Sequence, residues 1–278
     1  MTSIFKLRSG KILSLEKPLV MGIINVTPDS FYSISKKRDP LEVLRTVEQM
    51  ISEGVDIVDI GGFSTRPNAQ WIPEEEEMRR VFPVIEAIRN EFNSLILSID
   101  TFRSQIAEGA INRGVDIVND VSGGRLDKDM FNTVAKYQVP YVLMHMRGKP
   151  DTMQSYTMYE NLMGEIIQEL HQQLWEARNH GIKDIIIDPG FGFSKTLEQN
   201  YVILKNLNYL SCLKCPILVG VSRKSMAYKL LNISNDEALN ATTVLNTLAL
   251  TKGAIILRVH DVKEAKECIK IWEYWNKC

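Results

Sequence analysis

Short apolar runs recur along the chain, and each of them stops at a polar residue or a polar segment. The runs cover residues 20–24, 57–58, 95–99, 117–118, 141–144, 185–187, 217–219 and 255–257. The segments between them carry apolar residues at helical spacing, as in Leu41, Leu44 and Val47 after the N-cap candidate Asp39 and Pro40 at the first helical position. Eight strands that alternate with helices predict a closed (β/α)8 barrel of the α/β class, the TIM barrel.

A near-repeat within the chain supports this alternation. Residues 54–59 read Gly-Val-Asp-Ile-Val-Asp and residues 114–119 read Gly-Val-Asp-Ile-Val-Asn, a spacing of 60 residues that fits two strand-plus-helix units. In a barrel the carboxyl ends of all strands converge on one mouth, which makes the polar residues at the ends of the runs neighbours in space. An open doubly wound sheet is the structural alternative, but no G-x-G-x-x-G motif follows the first strand.

The first 17 residues are expected to extend the barrel. Residues 5–15 alternate around Ser9-Gly10, which predicts a β-hairpin that closes the bottom of the barrel. The length of 278 residues is close to the roughly 250 typical of one such barrel. We therefore predict a single domain over residues 1–278, with residues 1–17 as the hairpin extension.

Composition and charge narrow the classes of partner. The chain is 45% hydrophobic and 24% charged with a formal net charge of −1, so we expect no nucleic-acid and no membrane partner. The acidic run at residues 74–77 is predicted to open a helix, where the helix dipole favours carboxylates. The N-terminus has no continuous hydrophobic stretch typical of a signal peptide, so a cytoplasmic location is expected. Cys212 and Cys215 form a lone C-x-x-C, which we interpret as chance because it lacks a second ligand pair.

The predicted mouth collects side chains of both charge signs. They are Asn25, Asp59, Asp100, Asn119 and Asp188 on the acidic and amide side, and Arg66, Lys224, Arg258 and His260 on the basic side. Asp59 alone is interpreted as half of a structural ion pair. The set as a whole is interpreted as a functional site, because so many ionisable groups in one place are costly unless ligands use them. Arg258 and His260 alternate along the last predicted strand, so both should face the interior.

Five loop segments at this mouth carry the most specific signal. They read Asn-Val-Thr-Pro-Asp-Ser-Phe at 25–31, Gly-Gly-Phe-Ser-Thr-Arg-Pro at 61–67, Asp-Pro-Gly-Phe-Gly-Phe at 188–193, Ser-Arg-Lys-Ser at 222–225 and Arg-Val-His at 258–260. In this order they resemble the dihydropteroate synthase family of pterin-binding barrels, from about Val20 to Val262. The resemblance implies a transferase of folate biosynthesis that condenses 4-aminobenzoate with (7,8-dihydropterin-6-yl)methyl diphosphate. The products are 7,8-dihydropteroate and diphosphate.

The resemblance also implies a role for individual residues. The expected pterin-binding residues are Asp100, Asn119, Asp188 and Lys224, with Met144 and Phe191 as ring contacts or core residues. The expected diphosphate-binding residues are Asn25, Thr65, Arg258 and His260, and Asn25 is the expected ligand of the cofactor Mg²⁺. The expected 4-aminobenzoate-binding residues are Thr65, Arg66, Pro67, Phe193 and Ser225, with Phe31 closing on the ring. The expected catalytic residues are Asp100, Lys224, Arg258 and His260.

Two other functions fit part of the same pattern. A pterin-binding paralogue without synthase activity would have lost the residues for the nucleophile or the diphosphate. A pterin-dependent methyltransferase of the same barrel superfamily would keep the pterin-binding residues but would not need the loops at 64–67 and 222–225. Both loops are present, which favours the synthase. The resemblance further implies a homodimer formed through barrel helices.

A few positions differ from the pattern usual in the family. Residues 31–35 read Phe-Tyr-Ser-Ile-Ser where relatives have glycines, and Asn68 stands where glycine often follows Arg-Pro. Phe63 and Ser194 also differ from the common choices. Neither of the differences at Phe63 and Ser194 removes a residue with a proposed chemical role, so we expect altered loop kinetics or inhibitor affinity and retained activity.

Overall fold

Two short strands at the N-terminus form a hairpin. In the computed structural model, which describes residues 4–26, 40–63 and 71–278, strand β1 (Ile4–Lys6) pairs antiparallel with β2 (Ile12–Ser14). Gly10 adopts φ +83° in the turn, a left-handed conformation that glycine reaches without the steric cost of a Cβ. The predicted hairpin is confirmed.

Eight parallel strands form the barrel. They are β3 (Leu19–Asn25), β4 (Ile57–Gly61), β5 (Ile96–Asp100), β6 (Ile117–Asp120), β7 (Tyr141–Met144), β8 (Ile185–Asp188), β9 (Leu218–Val219) and β10 (Ile256–Val259). Their spatial order is β8-β7-β6-β5-β4-β3-β10-β9. A parallel bridge between Ile187 and Ile217 then joins β8 to the segment before β9. Because this bridge closes the sheet, the predicted TIM barrel is confirmed and the open doubly wound alternative is wrong.

Helices separate the strands and cover the barrel. They are α1 (Pro40–Ser52), α2 (Glu74–Glu91), α3 (Ser104–Asn112), α4 (Met130–Tyr137), α5 (Leu162–Asn179), α6 (Leu197–Lys205), α7 (Ser225–Tyr228), α8 (Leu239–Thr251) and α9 (Val262–Trp275), with short 3-10 helices at Met153–Ser155 and Leu207–Leu213. As predicted, the acidic run at 74–77 forms the first turn of α2. The predicted N-cap Asp39 lies outside the described residues. Within the described ranges, no helix is long and apolar enough to cross a membrane.

The hairpin packs against the bottom of the barrel. Its apolar residues Phe5, Leu7, Leu13 and Leu15 are buried. They form one cluster with residues near the amino ends of the strands, namely Met21, Ile57, Ile117, Val142, Ile186, Leu218 and Ile256. The bottom of the barrel is therefore closed by apolar contacts, and polar side chains that enter the interior do so from the other end.

Candidate active site

An arginine bonded to two carboxylates lies at the centre of the mouth. Arg258 on β10 donates from Nε to Asp59 Oδ2 at 2.7 Å and from Nη2 to Asp100 Oδ2 at 2.6 Å. Asp59 is fully buried, whereas 12% of the Asp100 side chain and 17% of the Arg258 side chain remain exposed. The pair at Asp100 therefore faces the opening of the barrel, and the pair at Asp59 lies below it.

Burial and pairing shift the pKa values of these groups. Burial raises the pKa of Asp100 to about 7, although Arg258 works in the opposite direction. Burial alone would lower the pKa of Arg258, but the carboxylates of Asp59 and Asp100 outweigh it and raise that pKa above its ordinary value. The guanidinium thus keeps its charge, while Asp100 is the carboxyl whose protonation state a ligand can change.

Asp59 belongs to this site, although the sequence analysis placed it at the mouth without assigning it to a substrate. Its Oδ2 accepts a second hydrogen bond, from Asn119 Nδ2 at 2.9 Å. Asp59 and Asn119 are the last residues of the two near-repeats, so their equivalent places on β4 and β6 bring them together. The repeat was therefore a usable signal for the role of Asp59.

A lysine and a third carboxylate, Lys224 and Asp188, interact on the β8 side of the mouth. Burial lowers the pKa of Lys224 to about 8, and the Asp188 carboxylate partly offsets this. Burial also raises the pKa of Asp188, whose Oδ1 accepts a hydrogen bond from Gly190 N at 2.7 Å. Lys224 Nζ donates to the Phe191 carbonyl at 2.6 Å and lies 4.8 Å from the centre of the Phe193 ring. This part of the mouth therefore offers a cation between a carboxylate and an aromatic face.

Asn25 ends β3 at the same mouth and is partly buried. It is paired with Gly61 across β3 and β4. A Cβ placed on Gly61 would lie 3.6 Å from Asn25 Oδ1 and 3.7 Å from Asp100 Oδ2, so both oxygens stand beside this glycine. Asn25 thus presents an amide oxygen next to the acidic part of the mouth, a position suited to a hard cation.

The structure modifies the expectation for the last strand. Strand β10 ends at Val259, so Arg258 lies within it and His260 lies just beyond it. His260 is exposed, its Nδ1 lies 3.0 Å from Ser222 Oγ, and its backbone N–H donates to the same oxygen at 3.1 Å. Of the two residues, only Arg258 therefore lies in the strand whose alternation predicts inward side chains. His260 contacts the loop after β9.

Ser225 opens helix α7, as expected, but this helix has only four residues. A single turn has a small dipole, so an anion at this point would depend mainly on backbone N–H groups and the Ser225 hydroxyl. Ser225 itself is partly buried.

The other predicted contacts of 4-aminobenzoate lie outside the described residues. They are Thr65, Arg66, Pro67 and Phe31, and the atypical positions Asn68 and 32–35 lie outside the described residues as well.

Ser194, one of the atypical positions, has a local explanation. Its φ is +48°, in the left-handed region that favours glycine. Its hydroxyl accepts a hydrogen bond from Arg147 N at 3.0 Å and donates to the Phe193 carbonyl at 2.8 Å. These two bonds hold serine in a conformation that glycine would reach more easily.

Other apolar residues near the mouth are well packed. Met144 and Phe191 are buried, at 2% and 0% exposed, and both belong to apolar clusters. Phe63 packs edge-on against Trp71 and Phe102, with ring centres 5.2 Å and 5.3 Å apart. Phe63 therefore anchors the end of β4 by aromatic packing.

Sequence reasoning missed one buried polar cluster beside the mouth. Lys195 and His145 are 3% and 0% exposed, and Lys195 Nζ lies 3.0 Å from His145 Nδ1. In the sequence, His145 stands out only as the polar residue at which the fifth apolar run stops. The remote partner of each residue, 50 positions away along the chain, left no local signal.

Comparison with known proteins supports the resemblance. The sequence matches the family described as pterin binding enzyme over residues 21–260. A dihydropteroate synthase of Haemophilus influenzae is 40% identical over 267 residues, which cover 95% of this chain and 96% of that protein. Another, of Clostridium beijerinckii, is 42% identical over 259 residues, which cover 92% and 93%.

Solved structures agree. The Yersinia pestis dihydropteroate synthase in complex with a sulfonamide drug matches with a TM-score of 0.94 and 37% identity, over 99% of this chain and 100% of that chain. The Xanthomonas albilineans dihydropteroate synthase with 4-aminobenzoic acid matches with a TM-score of 0.93 and 35% identity, over 100% of both chains. The chain therefore belongs to the dihydropteroate synthase family of pterin-binding enzymes.

Proposed function

We propose that this mouth joins 4-aminobenzoate to (7,8-dihydropterin-6-yl)methyl diphosphate and releases diphosphate, which makes the chain a transferase of the pterinylmethyl group. The observation that carries the proposal is the pairing of Arg258 with both Asp59 and Asp100. It places a permanent cation for a diphosphate directly beside carboxylates for a pterin. Identity of about 40% to dihydropteroate synthases over nearly the whole chain supports the same reaction.

The pterin is recognised by its edge of donors and acceptors. Aspartate oxygens accept hydrogen bonds, and an asparagine amide can both accept and donate, so Asp100, Asn119 and Asp188 match such an edge. Burial of Asn119 and Asp188, which are 4% and 5% exposed, removes competition from water. Lys224 lies beside the ring and lines the boundary with the second substrate, a placement supported by its contacts with Phe191 and Phe193.

The first chemical stage is cleavage of the bond between the methylene carbon and the diphosphate oxygen. Positive charge develops on a methylene conjugated with the pterin, and negative charge develops on the departing diphosphate. The Asp100 carboxylate stabilises the cation, and Arg258 and His260 stabilise the anion. Because these side chains are held in position before the reaction begins, little reorganisation is needed in the transition state.

The second stage is attack of the arylamine nitrogen on the methylene carbon. The amine forms the new C–N bond and then loses a proton to solvent or to the diphosphate. An arylamine needs no activation by a strong base. Phe193 and Ser225 place this substrate, the ring against the aromatic face and the carboxylate at the start of α7.

We assign the Mg²⁺ ligand to Asn25. Among the residues that the structure describes, no group of three or more His, Cys, Asp or Glu could hold a metal ion. A single amide oxygen at the mouth does fit an ion that keeps several waters and takes its remaining ligands from a substrate diphosphate. Mg²⁺ bound there supplies positive charge against the leaving group.

The deciding experiment measures release of diphosphate from the pterin substrate. We expect release that requires both 4-aminobenzoate and Mg²⁺, with one diphosphate formed for each dihydropteroate. Folded protein that binds the pterin but releases no diphosphate would identify the non-catalytic paralogue. Transfer of a methyl group from a methylated pterin, without diphosphate chemistry, would identify the methyltransferase.

The homodimer is also part of this proposal. Helices α8 and α9 pack against each other, and both expose large apolar side chains. Val244 and Leu248 on α8 are 52% and 45% exposed, and Ile271 and Trp275 on α9 are 69% and 64% exposed. Apolar side chains grouped on neighbouring helices support an interface with a second copy of the chain.

Sedimentation velocity tests this interface. We expect a dimer for the unmodified chain and a monomer for the double variant Val244→Glu and Leu248→Glu. Glutamates placed at the exposed positions Leu230 and Leu231 are the matched control and should leave the dimer intact. A monomeric unmodified protein at micromolar concentration would contradict the proposed assembly.

A cytoplasmic location completes the proposal. The four cysteines, Cys212, Cys215, Cys268 and Cys278, are free thiols, which supports a reducing compartment. Fractionation of expressing cells should recover the protein with cytoplasmic enzymes.

A further inference from the structure

A buried lysine outside the predicted site holds the loop that follows β8. Lys195 Nζ donates to the Phe193 carbonyl at 2.9 Å and lies 3.0 Å from His145 Nδ1. His145 directly follows β7, whose last residue is Met144. The lysine therefore ties the loop after β8 to the end of the neighbouring strand.

A second contact fixes the same loop near its beginning. Gly190 has φ +71°, and a Cβ placed on it would lie 2.0 Å from the His145 carbonyl oxygen. No larger residue fits there without moving the backbone. Residues 191–193 are therefore held between two points, at Gly190 and at Lys195, that both contact His145.

The support under Lys195 continues to helix α5. His145 Nε2 lies 3.3 Å from Glu169 Oε2, although without the geometry of a hydrogen bond. Burial lowers the pKa of His145 to about 4, so its ring is neutral at pH 7. With the ring proton on Nε2, toward Glu169, Nδ1 is free to accept from the Lys195 amine. The acceptor of Lys195 is thus itself held in place.

The segment held in this way is the one on which Lys224 rests. Lys224 donates to the Phe191 carbonyl at 2.6 Å, and its Nζ lies 4.8 Å from the centre of the Phe193 ring. Movement of residues 191–193 would therefore displace both an aromatic wall and the partner of a site lysine. Lys195 reaches this segment through its hydrogen bond to the Phe193 carbonyl, and its charge also interacts with those of Asp188 and Lys224.

We propose that Lys195 is a positioning residue that holds the Phe193 carbonyl and so shapes the boundary between the pterin and 4-aminobenzoate. The inference rests on the proposed function, because Phe193 and Lys224 are assigned to the two substrates there. It predicts an asymmetric effect. Asp188 lies in strand β8 and is fixed by the barrel, so pterin binding should depend on Lys195 less than 4-aminobenzoate binding does.

The first test replaces the amine by a group of similar size. Lys195→Met keeps most of the side-chain volume and removes the donor. We expect the KM for 4-aminobenzoate to rise about tenfold, the effect of about 1.4 kcal/mol, while the KM for the pterin substrate changes less than threefold. Lys183→Met is the matched control, because Lys183 is exposed and precedes the other end of β8. It should behave as the unmodified protein does.

The second test restores the amine from solution. Lys195→Ala removes three carbons and the nitrogen, which are the atoms of propylamine. Propylammonium should lower the raised KM for 4-aminobenzoate in Lys195→Ala and should have no effect on Lys195→Met, where the cavity is filled. A residue that served stability alone would change the melting temperature of both variants and leave KM unchanged.

The outcomes separate this inference from the proposed function. Absence of diphosphate release by the unmodified protein would refute the proposed function itself and this inference with it. Release by the unmodified protein, together with equal changes for both substrates in Lys195→Met or an unchanged KM, would refute the positioning role alone. Failure of propylammonium to improve folded Lys195→Ala would do the same.

Discussion

The two ends of this barrel are built from the same strands but from opposite kinds of side chain. On β4, Ile57 packs into the apolar cluster at the bottom and Asp59, two residues later, bonds Arg258. On β10, Ile256 belongs to the bottom cluster and Arg258 to the mouth. Residues two apart on a strand face the same side and lie about 6.6 Å apart along it. Along the interior face of a strand, the next inward residue after one in the packed core therefore belongs to the charged site.

The comparison teaches that stability and chemistry are separated along the strands. The bottom has apolar contacts from the hairpin, which gain free energy by burial. The mouth buries Asp59 and pairs it, which is neutral or costly for folding and valuable only when a ligand uses the charges. Mutations at the bottom should therefore lower mainly the free energy of unfolding, and mutations at the mouth should lower mainly the activity.

The largest effect is expected for Arg258→Ala in the mouth. Loss of the cation should lower kcat/KM by roughly 10²- to 10³-fold, the range for removing one preorganised donor. It also leaves Asp59 and Asp100 without their partner, so the free energy of unfolding should fall by about 3 kcal/mol. Steady-state kinetics and urea unfolding measure the two effects. A normal kcat/KM would remove Arg258 from the mechanism.

The next effect is expected for Leu13→Ala at the bottom. Leu13 is 2% exposed, and its truncation should cost about 2–5 kcal/mol of unfolding free energy. Because Leu13 lies in the hairpin, kcat and both KM values should stay within about twofold at temperatures where the variant is folded. A large loss of kcat in folded Leu13→Ala would break the separation between the two ends.

A smaller effect is expected for Ser225→Ala. Loss of one hydroxyl bond should raise the KM for 4-aminobenzoate roughly fivefold and leave the KM for the pterin substrate nearly unchanged. Initial rates at varied concentrations of each substrate measure this difference. Ser211→Ala, at an exposed serine of the 3-10 helix Leu207–Leu213, serves as the control. Equal changes in both KM values would refute the placement of the carboxylate.

The smallest effect concerns pH. The ammonium form of Lys224 is the one assigned to the ring, and burial lowers the pKa of this group to about 8. As pH rises through that value the amine loses its proton, so kcat/KM should be halved near pH 8 and fall further above it. Lys224→Arg keeps the charge and should remove this alkaline limb from the pH profile. Persistence of the same limb in the arginine variant would assign it to another group.

Much of the fold followed from local pattern. The apolar runs located all eight barrel strands, because each strand is buried on both sides and its neighbours in sequence are not. The hairpin followed from alternation around Ser9-Gly10. The predicted ends of the strands were less accurate. Strand β4 continues beyond Asp59 to Gly61, because its backbone pairing with β3 and β5 does not stop at the first polar side chain.

The site was harder to predict where it depends on distant pairs. Asp59 joins Arg258 across 199 positions of sequence, and Lys195 joins His145 across 50, so no window of local sequence contains either pair. The placement of Asp100, Asn119 and Asp188 at one mouth could be predicted, because it requires only that strands be parallel and adjacent. The side-chain partners within that mouth could not.

One oxygen atom links the two halves of the proposed site. Asp59 Oδ2 accepts from Arg258, assigned to the diphosphate, and from Asn119, assigned to the pterin. A shared acceptor couples the two halves of the site, and linkage makes that coupling reciprocal: whatever factor free diphosphate imposes on the affinity for the pterin, the pterin must impose on the affinity for diphosphate. The departing diphosphate is then an effector as well as a product, since its exit changes how tightly the remaining half of the substrate is held.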